Sequence, residues 1–269
     1  MSITELLGYI GALTIGLIMG LTGSGGSILS VPILAYLFHY DEKTATAYSL
    51  FIVGVTALFG GIRTLFSGLV NVKSVLIFGI PAVLGVLLAR RVIVPQLPEV
   101  LFHISGFYFT RRMFMFGLFA FLMLISAYTM LNKPKGREDR KTKKFQFHPL
   151  MLTEGFFLGI CMGLIGAGGG FLIVPALVMI AKLPIKNAVA TSLVIVCMNS
   201  LIGFFLGDFT QMEIDWKFLG IFVTISLIGI FIGGTLSGFI NAEKLKKGFA
   251  YFMIFMAIFV FAMEFGITK

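Results

Sequence analysis

Two clusters of small residues carry the most chemical information in this chain. They are Gly23-Ser24-Gly25-Gly26 and Gly166-Ala167-Gly168-Gly169-Gly170, and each interrupts a long apolar run that resumes past a proline, Pro32 or Pro175. A helix that restarts after such a break exposes free backbone N–H groups, which carry about half a positive charge and suit an oxyanion. Glycine lets the anion approach without a Cβ in the way. Thr22, Ser24 and Ser27 add hydroxyl donors around Gly23, Gly25 and Gly26. The second cluster offers the backbone of Gly166, Gly168, Gly169 and Gly170 without matching hydroxyls. Neither cluster is a nucleotide loop, because no Gly-Lys-Ser/Thr follows and no strand precedes. Close helix packing is the other use of such glycines. The interruption of long apolar runs argues for more, since an unwound segment at membrane depth must be buried in protein or line a cavity.

A second constellation runs in the same register. Ser49, Thr56, Gly60 and Arg63 share one helical face, and Ser192, Asn199 and Gly203 share the matching face later on, flanked by Thr191 and Ser200. Single polar residues in membrane helices often only bond a neighbouring helix, for ~1 kcal/mol or less. A repeated stripe is better read as the lining of a path. Arg63 either snorkels to the interface or lures anions. Acidic residues are scarce in the apolar runs, and of Glu5, Glu154 and Glu264, Glu154 is the best candidate proton carrier. No Ser/His/Asp or Cys/His arrangement, HExxH or acidic pair is visible, so enzymatic machinery is not expected. Cys161 and Cys197 lie inside apolar runs, and His39, His103 and His148 are scattered, so neither a metal nor a cofactor is expected.

The elements that must hold these residues are membrane helices. Of 269 residues, 58% are hydrophobic and 12% charged, far from the balance of a soluble domain. Apolar segments fall at about 5–38, 45–66, 74–94, 111–131, 150–181, 187–207, 217–240 and 247–266. Runs of roughly 20 residues match a helix crossing ~30 Å of hydrocarbon and are too long for barrel strands. The first run lacks a signal-peptide cleavage site and reads as structure. The net charge of +9 belongs to loops, as in membrane proteins, and nucleic acid is not an expected partner.

The chain repeats itself. GLTGSGGSILSVPIL (Gly20–Leu34) returns as GLIGAGGGFLIVPAL (Gly163–Leu177), with 9 identities in 15 at an offset of 143. At that offset Ala45, Ala47, Ser49 and Leu50 meet Ala188, Ala190, Ser192 and Leu193, and Gly60 meets Gly203. The fold class expected is therefore all-α: a polytopic integral membrane protein of two homologous four-segment halves, 1–132 and 149–269, joined by a charged cytoplasmic linker, 133–148. If each glycine-broken first segment is a re-entrant hairpin, the halves are inverted repeats. That model gathers 14 of the 21 basic residues on one side, whereas full crossings split them 10 to 11 and orient nothing. The hairpin model is preferred, with the linker in the cytoplasm and both termini outside.

These residues resemble the sulfite exporter TauE/SafE family. The resemblance rests on the paired glycine motifs, on the paired Ala-x-Ala-x-Ser-Leu strings, and more weakly on Asp215-Trp216-Lys217 before the glycine-rich Gly229, Gly233 and Gly234. It implies a transporter in the cell membrane that exports sulfite, organosulfonates or related organic anions, coupled to a proton or sodium ion. A passive anion channel of the same architecture is the alternative, and a non-transporting scaffold a third. Residues 95–112, with Pro95, Pro98 and Phe107-Tyr108-Phe109, are longer than the family's usual link and could form a surface helix, a lid or a homo-oligomer contact.

Overall fold

Helix lengths and breaks follow the apolar runs. The computed structural model describes residues 3–23, 26–104, 107–132, 150–237, 239 and 242–266; the linker at 133–148, Ser24 and Gly25 lie outside them. Helix α1 spans Ile3–Thr22 and α2 spans Ser27–Leu37, its last turn widened to π geometry. Then come α3 (Glu42–Phe66), α4 (Val72–Gln96), α5 (Arg111–Leu131), α6 (Leu150–Ile165) and α7 (Gly170–Met179). Helices α8 (Ile185–Asp208), α9 (Trp216–Leu236) and α10 (Ala242–Phe265) complete the order. Among the described residues seven helices are long and apolar enough to cross a membrane. Local chemistry starts several of them. The Asp41 carboxylate accepts from the N–H groups of Lys43 and Thr44 at 3.1 and 3.2 Å to cap α3. Asn71, Thr110 and Asp215 do the same for α4, α5 and α9.

Both glycine clusters fold the chain back on itself. Gly23 has φ +88°, and Gly166, Gly168 and Gly169 have φ +72°, +62° and +67°, left-handed values that a Cβ resists. After the first turn, Gly26 lies against Ile15 and Met19, Ile33 against Gly11, and Phe38 against Gly8, so α2 runs back along α1. After the second, Gly169 lies against Met162, and Met179 and Ile180 end beside Glu154 and Leu158.

The helices pair between the two parts of the sequence: α1 with α9, α6 with α4, α3 with α8, and α5 with α10. Small residues permit the closest of these contacts, since a Cβ on Gly16 would strike the Ser226 carbonyl and one on Gly159 the Ala82 carbonyl. Helices α3 and α8 run antiparallel, with Leu50 against Gly203, Gly54 against Leu201 and Gly60 against Leu193. Several contacts exchange under the 143-residue offset. Gly23 meets Val189 while Gly166 meets Thr46, and Gly26 meets Met19 while Gly169 meets Met162.

Two short strands depart from an all-helical chain. They are β1 (Val100–Ile104) and β2 (Phe107–Thr110), paired antiparallel and bulged between Val100 and Phe102. Phe102 stacks on Phe109 across the pair at 4.6 Å.

Candidate functional site

The ends of α1, α3, α5 and α9 and the starts of α8 and α10 leave a cavity of about 390 Å³ at one end of the bundle. The C-terminal half of α7 closes one wall, through Val174, Pro175 and Val178. Three basic side chains line it, Arg63, Lys186 and Lys246, and among the described residues no carboxylate does. Most of the remaining wall is apolar, with Phe59, Leu193 and Ile230, and Thr22, Thr64, Ser67, Thr129 and Ser237 add hydroxyls to it. Such a concave, apolar-walled space with a few charges of one sign concentrates ligands of the opposite sign. The cavity lies at the end where α5 stops, at Leu131, and α6 begins, at Leu150, so it shares that end with the charged linker's attachment points.

The opposite end is held by ion pairs. Arg111 donates to Glu42 through Nε at 2.8 Å, joining α5 to α3. Arg112 Nε donates to Glu264 Oε1 at 3.0 Å, joining α5 to α10, and the Tyr36 hydroxyl of α2 donates to the same oxygen at 2.8 Å. Arg90 of α4 faces Asp208 of α8 at 3.4 Å. Nearby, Tyr48 packs with Tyr40 and Phe218, and its hydroxyl accepts from the Asp215 N–H at 2.8 Å. Burial, with Tyr48 and Asp215 close by, pushes the Tyr40 hydroxyl up to about 12, so it stays neutral. At the cavity end the described ion pair is Lys247–Glu243 within α10, half exposed and of little structural weight.

The residues singled out in the sequence fall in three places. Thr22, Gly23 and Arg63 line the cavity, with Gly60. Ser27, Ser49, Thr56, Ser192 and Asn199 are buried between helices. Ser49 pairs with Ser30 at 2.5 Å where α2 meets α3, and Thr56 and Ser192 donate to the Ile52 and Val189 carbonyls within their own helices. Asn199 reaches the Met162 sulfur at 3.6 Å, and Thr191 accepts from the Asn71 N–H at 3.0 Å. Gly166, Gly168, Gly169 and Gly170 form the buried second turn, on the far side from the cavity. Ser24 and Gly25 lie outside the described residues.

Sequence reasoning missed Lys186 and Lys246, which read as loop charges, and it missed Arg90 and Asp208. The last two are 118 residues apart, and each looks like an ordinary charge at a segment end. Arg90 is buried, at 1% exposure, and donates through Nη1 to Thr46 Oγ1 at 3.0 Å. Its Nε and Nη2 have no hydrogen-bond partner among the described residues, nor has Ser200 Oγ.

Comparison with known proteins agrees with this architecture. A family model described as "Sulfite exporter TauE/SafE" matches residues 7–260. A probable membrane transporter protein of Xylella fastidiosa (strain Temecula1) is 29% identical over 91% of this chain and 90% of its own. The probable membrane transporter protein YunE of Bacillus subtilis is 27% identical over 94% of this chain and 96% of its own. One from Methanocaldococcus jannaschii is 39% identical over 42% of this chain and 44% of its own. No solved structure matches. With seven helices among the described residues long and apolar enough to cross a membrane, and a family match over nearly its whole length, the chain is a multi-pass integral membrane protein of the sulfite exporter TauE/SafE family.

Proposed function

We propose that this protein is a secondary transporter that exports a small anion, such as sulfite, an organosulfonate or a related organic anion, from the cytoplasm. The observation that carries the reading is the cavity at the linker end, with Arg63, Lys186 and Lys246 in its wall and no carboxylate among the described residues. The positive-inside rule puts that end in the cytoplasm, where an exporter loads.

The antiparallel run of α3 and α8, and the contacts that exchange under the 143-residue offset, support two inverted repeats with re-entrant first hairpins. In such a design the path runs beside α3 and α8, the helices that carry Ser49, Thr56, Ser192 and Asn199. The glycine turns approach it from both sides with their backbone N–H groups. Three ion pairs clamp the far end, Arg90–Asp208, Arg111–Glu42 and Arg112–Glu264. An end-closed cavity favours alternating access over the passive channel that the sequence leaves open. A proton or sodium gradient would drive the cycle.

Flux in proteoliposomes tests the reading. Sulfite, sulfate, a two-carbon sulfonate and a small carboxylate are loaded in turn. Saturable movement of one class is the expected result. Movement of small cations in their place, or of no anion, would remove the proposal.

A further inference from the structure

The closed end contains a counterpart of the cavity. Under the 143-residue offset, the cavity residues Gly23, Gly60, Val189 and Leu193 correspond to Gly166, Gly203, Thr46 and Leu50. The counterpart residues also lie close to one another, Gly166 by Thr46 and Gly203 by Leu50. The Arg90 side chain fills the place, against Gly166 and Thr46, with Gly207 packed on its stem. A Cβ on Gly166 would collide with Arg90 Nη2, so the guanidinium sits directly over the second glycine turn.

The bonding of Arg90 is incomplete for a purely structural arginine. A guanidinium has five donors in a fixed fork, and buried ones are usually saturated. Here Nη1 serves Thr46 at 3.0 Å and reaches Asp208 only at 3.4 Å, longer than a good charge-assisted bond. Nε and Nη2 are buried without an acceptor among the described residues. Ser200 Oγ is also buried without a partner, and a Cβ on Gly168 would lie 2.7 Å from it. The same turn starts α7, whose first N–H groups add partial positive charge. Arg90 and Asp208 each belong to a π turn, Ala89–Ile93 in α4 and Phe204–Asp208 in α8. Such turns recur where a helix is reshaped for a functional site.

We propose that Arg90, with Ser200 and the Gly166–Gly170 turn, is a second anion site on the far side of the membrane path, and that Asp208 occupies the guanidinium while the site is empty. This rests on the transporter reading and deepens it. The anion arriving from the cavity takes the free face of Arg90, Asp208 is displaced, and the α4–α8 pair that helps to close the far end is released. Asp208 is thus a competitor for the same donors as the substrate.

Competition gives the test its sign. The chain has one tryptophan, Trp216, whose ring lies 6.5 Å from Phe204 and 6.1 Å from Phe209 beside Asp208, so its fluorescence reports this end of the bundle. Purified protein is titrated with sulfate and with a two-carbon sulfonate. Asp208→Asn should tighten binding at least fivefold, because the competing carboxylate is gone. Arg90→Gln should weaken it at least tenfold. If that variant fails to fold for want of a partner for Asp208, the double variant Arg90→Gln/Asp208→Asn, which leaves no unpaired buried charge, should fold and lose the response. An unchanged or weakened response in Asp208→Asn, or a wild-type response in the double variant, overturns the second site. If the wild type still moves these anions in vesicles, the transporter reading survives that failure. If it neither binds nor moves any of them, both fall together.

Discussion

Neutralising the cavity should raise KM and leave turnover nearly unchanged. A space of about 390 Å³ holds an anion on the order of 5 Å from its walls. At that range one charge contributes roughly 0.8 kcal/mol in water and about 3 kcal/mol at an effective dielectric of ~20. Arg63 and Lys186 are solvent-exposed, so the lower figure governs and each is worth roughly 1 kcal/mol. Arg63→Gln should therefore raise KM about fivefold, Arg63→Glu about 25-fold, and the triple variant Arg63→Gln/Lys186→Gln/Lys246→Gln about 100-fold. Salt gives an internal control. With a Debye length of about 8 Å at physiological ionic strength, added salt should raise the wild-type KM and move that of the triple variant much less. The assay is initial flux of the transported anion into proteoliposomes across a concentration series. A triple variant whose KM stays within twofold of wild type would refute the electrostatic argument.

Other perturbations separate the parts of the structure. Gly168→Leu, at a left-handed φ of +62° and against Val53 and Ser200, should abolish flux while the protein still inserts and purifies; full transport by it would detach the turn from function. Gly16→Leu forces α1 off α9 and should cost about 1–3 kcal/mol or more of stability, read as a lower melting temperature in detergent. Glu264→Ala removes the common partner of Arg112 and Tyr36 and should cost roughly 1–3 kcal/mol, since Arg112 is partly solvated; an unchanged melting temperature would mean that this pair does not hold the closed end.

Much of this architecture is legible in the residues because membrane helices are written as length plus apolarity, and repeats as register. The breaks at Gly23–Gly26 and Gly166–Gly170 mark both places where the chain turns back, since a left-handed φ is cheap only for glycine. Three features were harder to see. The strand pair Val100–Ile104 and Phe107–Thr110 carries a signal, the aromatic-rich Phe102 and Phe107-Tyr108-Phe109 typical of strands, but the stretch reads equally as a surface helix, a lid or a homo-oligomer contact. The cavity's lysines are loop charges until α8 and α10 bring Lys186 and Lys246 to one space with Arg63. Arg90 and Asp208 become a pair only through the α4–α8 contact, which no local pattern encodes. The stripe Ser49, Thr56, Ser192 and Asn199 was read from a shared face, and the fold buries these side chains, Ser49 against Ser30 of α2 and Asn199 against Met162 of α6, rather than setting them in the cavity wall.

The most direct test of anion export by a gated carrier is concentrative flux. Proteoliposomes carrying the purified protein are equilibrated with the transported anion at equal concentration on both sides, and a proton or sodium gradient is then imposed. The account predicts that the anion accumulates on one side above its starting concentration and that the gain vanishes in Gly168→Leu. Simple equilibration, unaffected by either gradient and insensitive to that substitution, would contradict it.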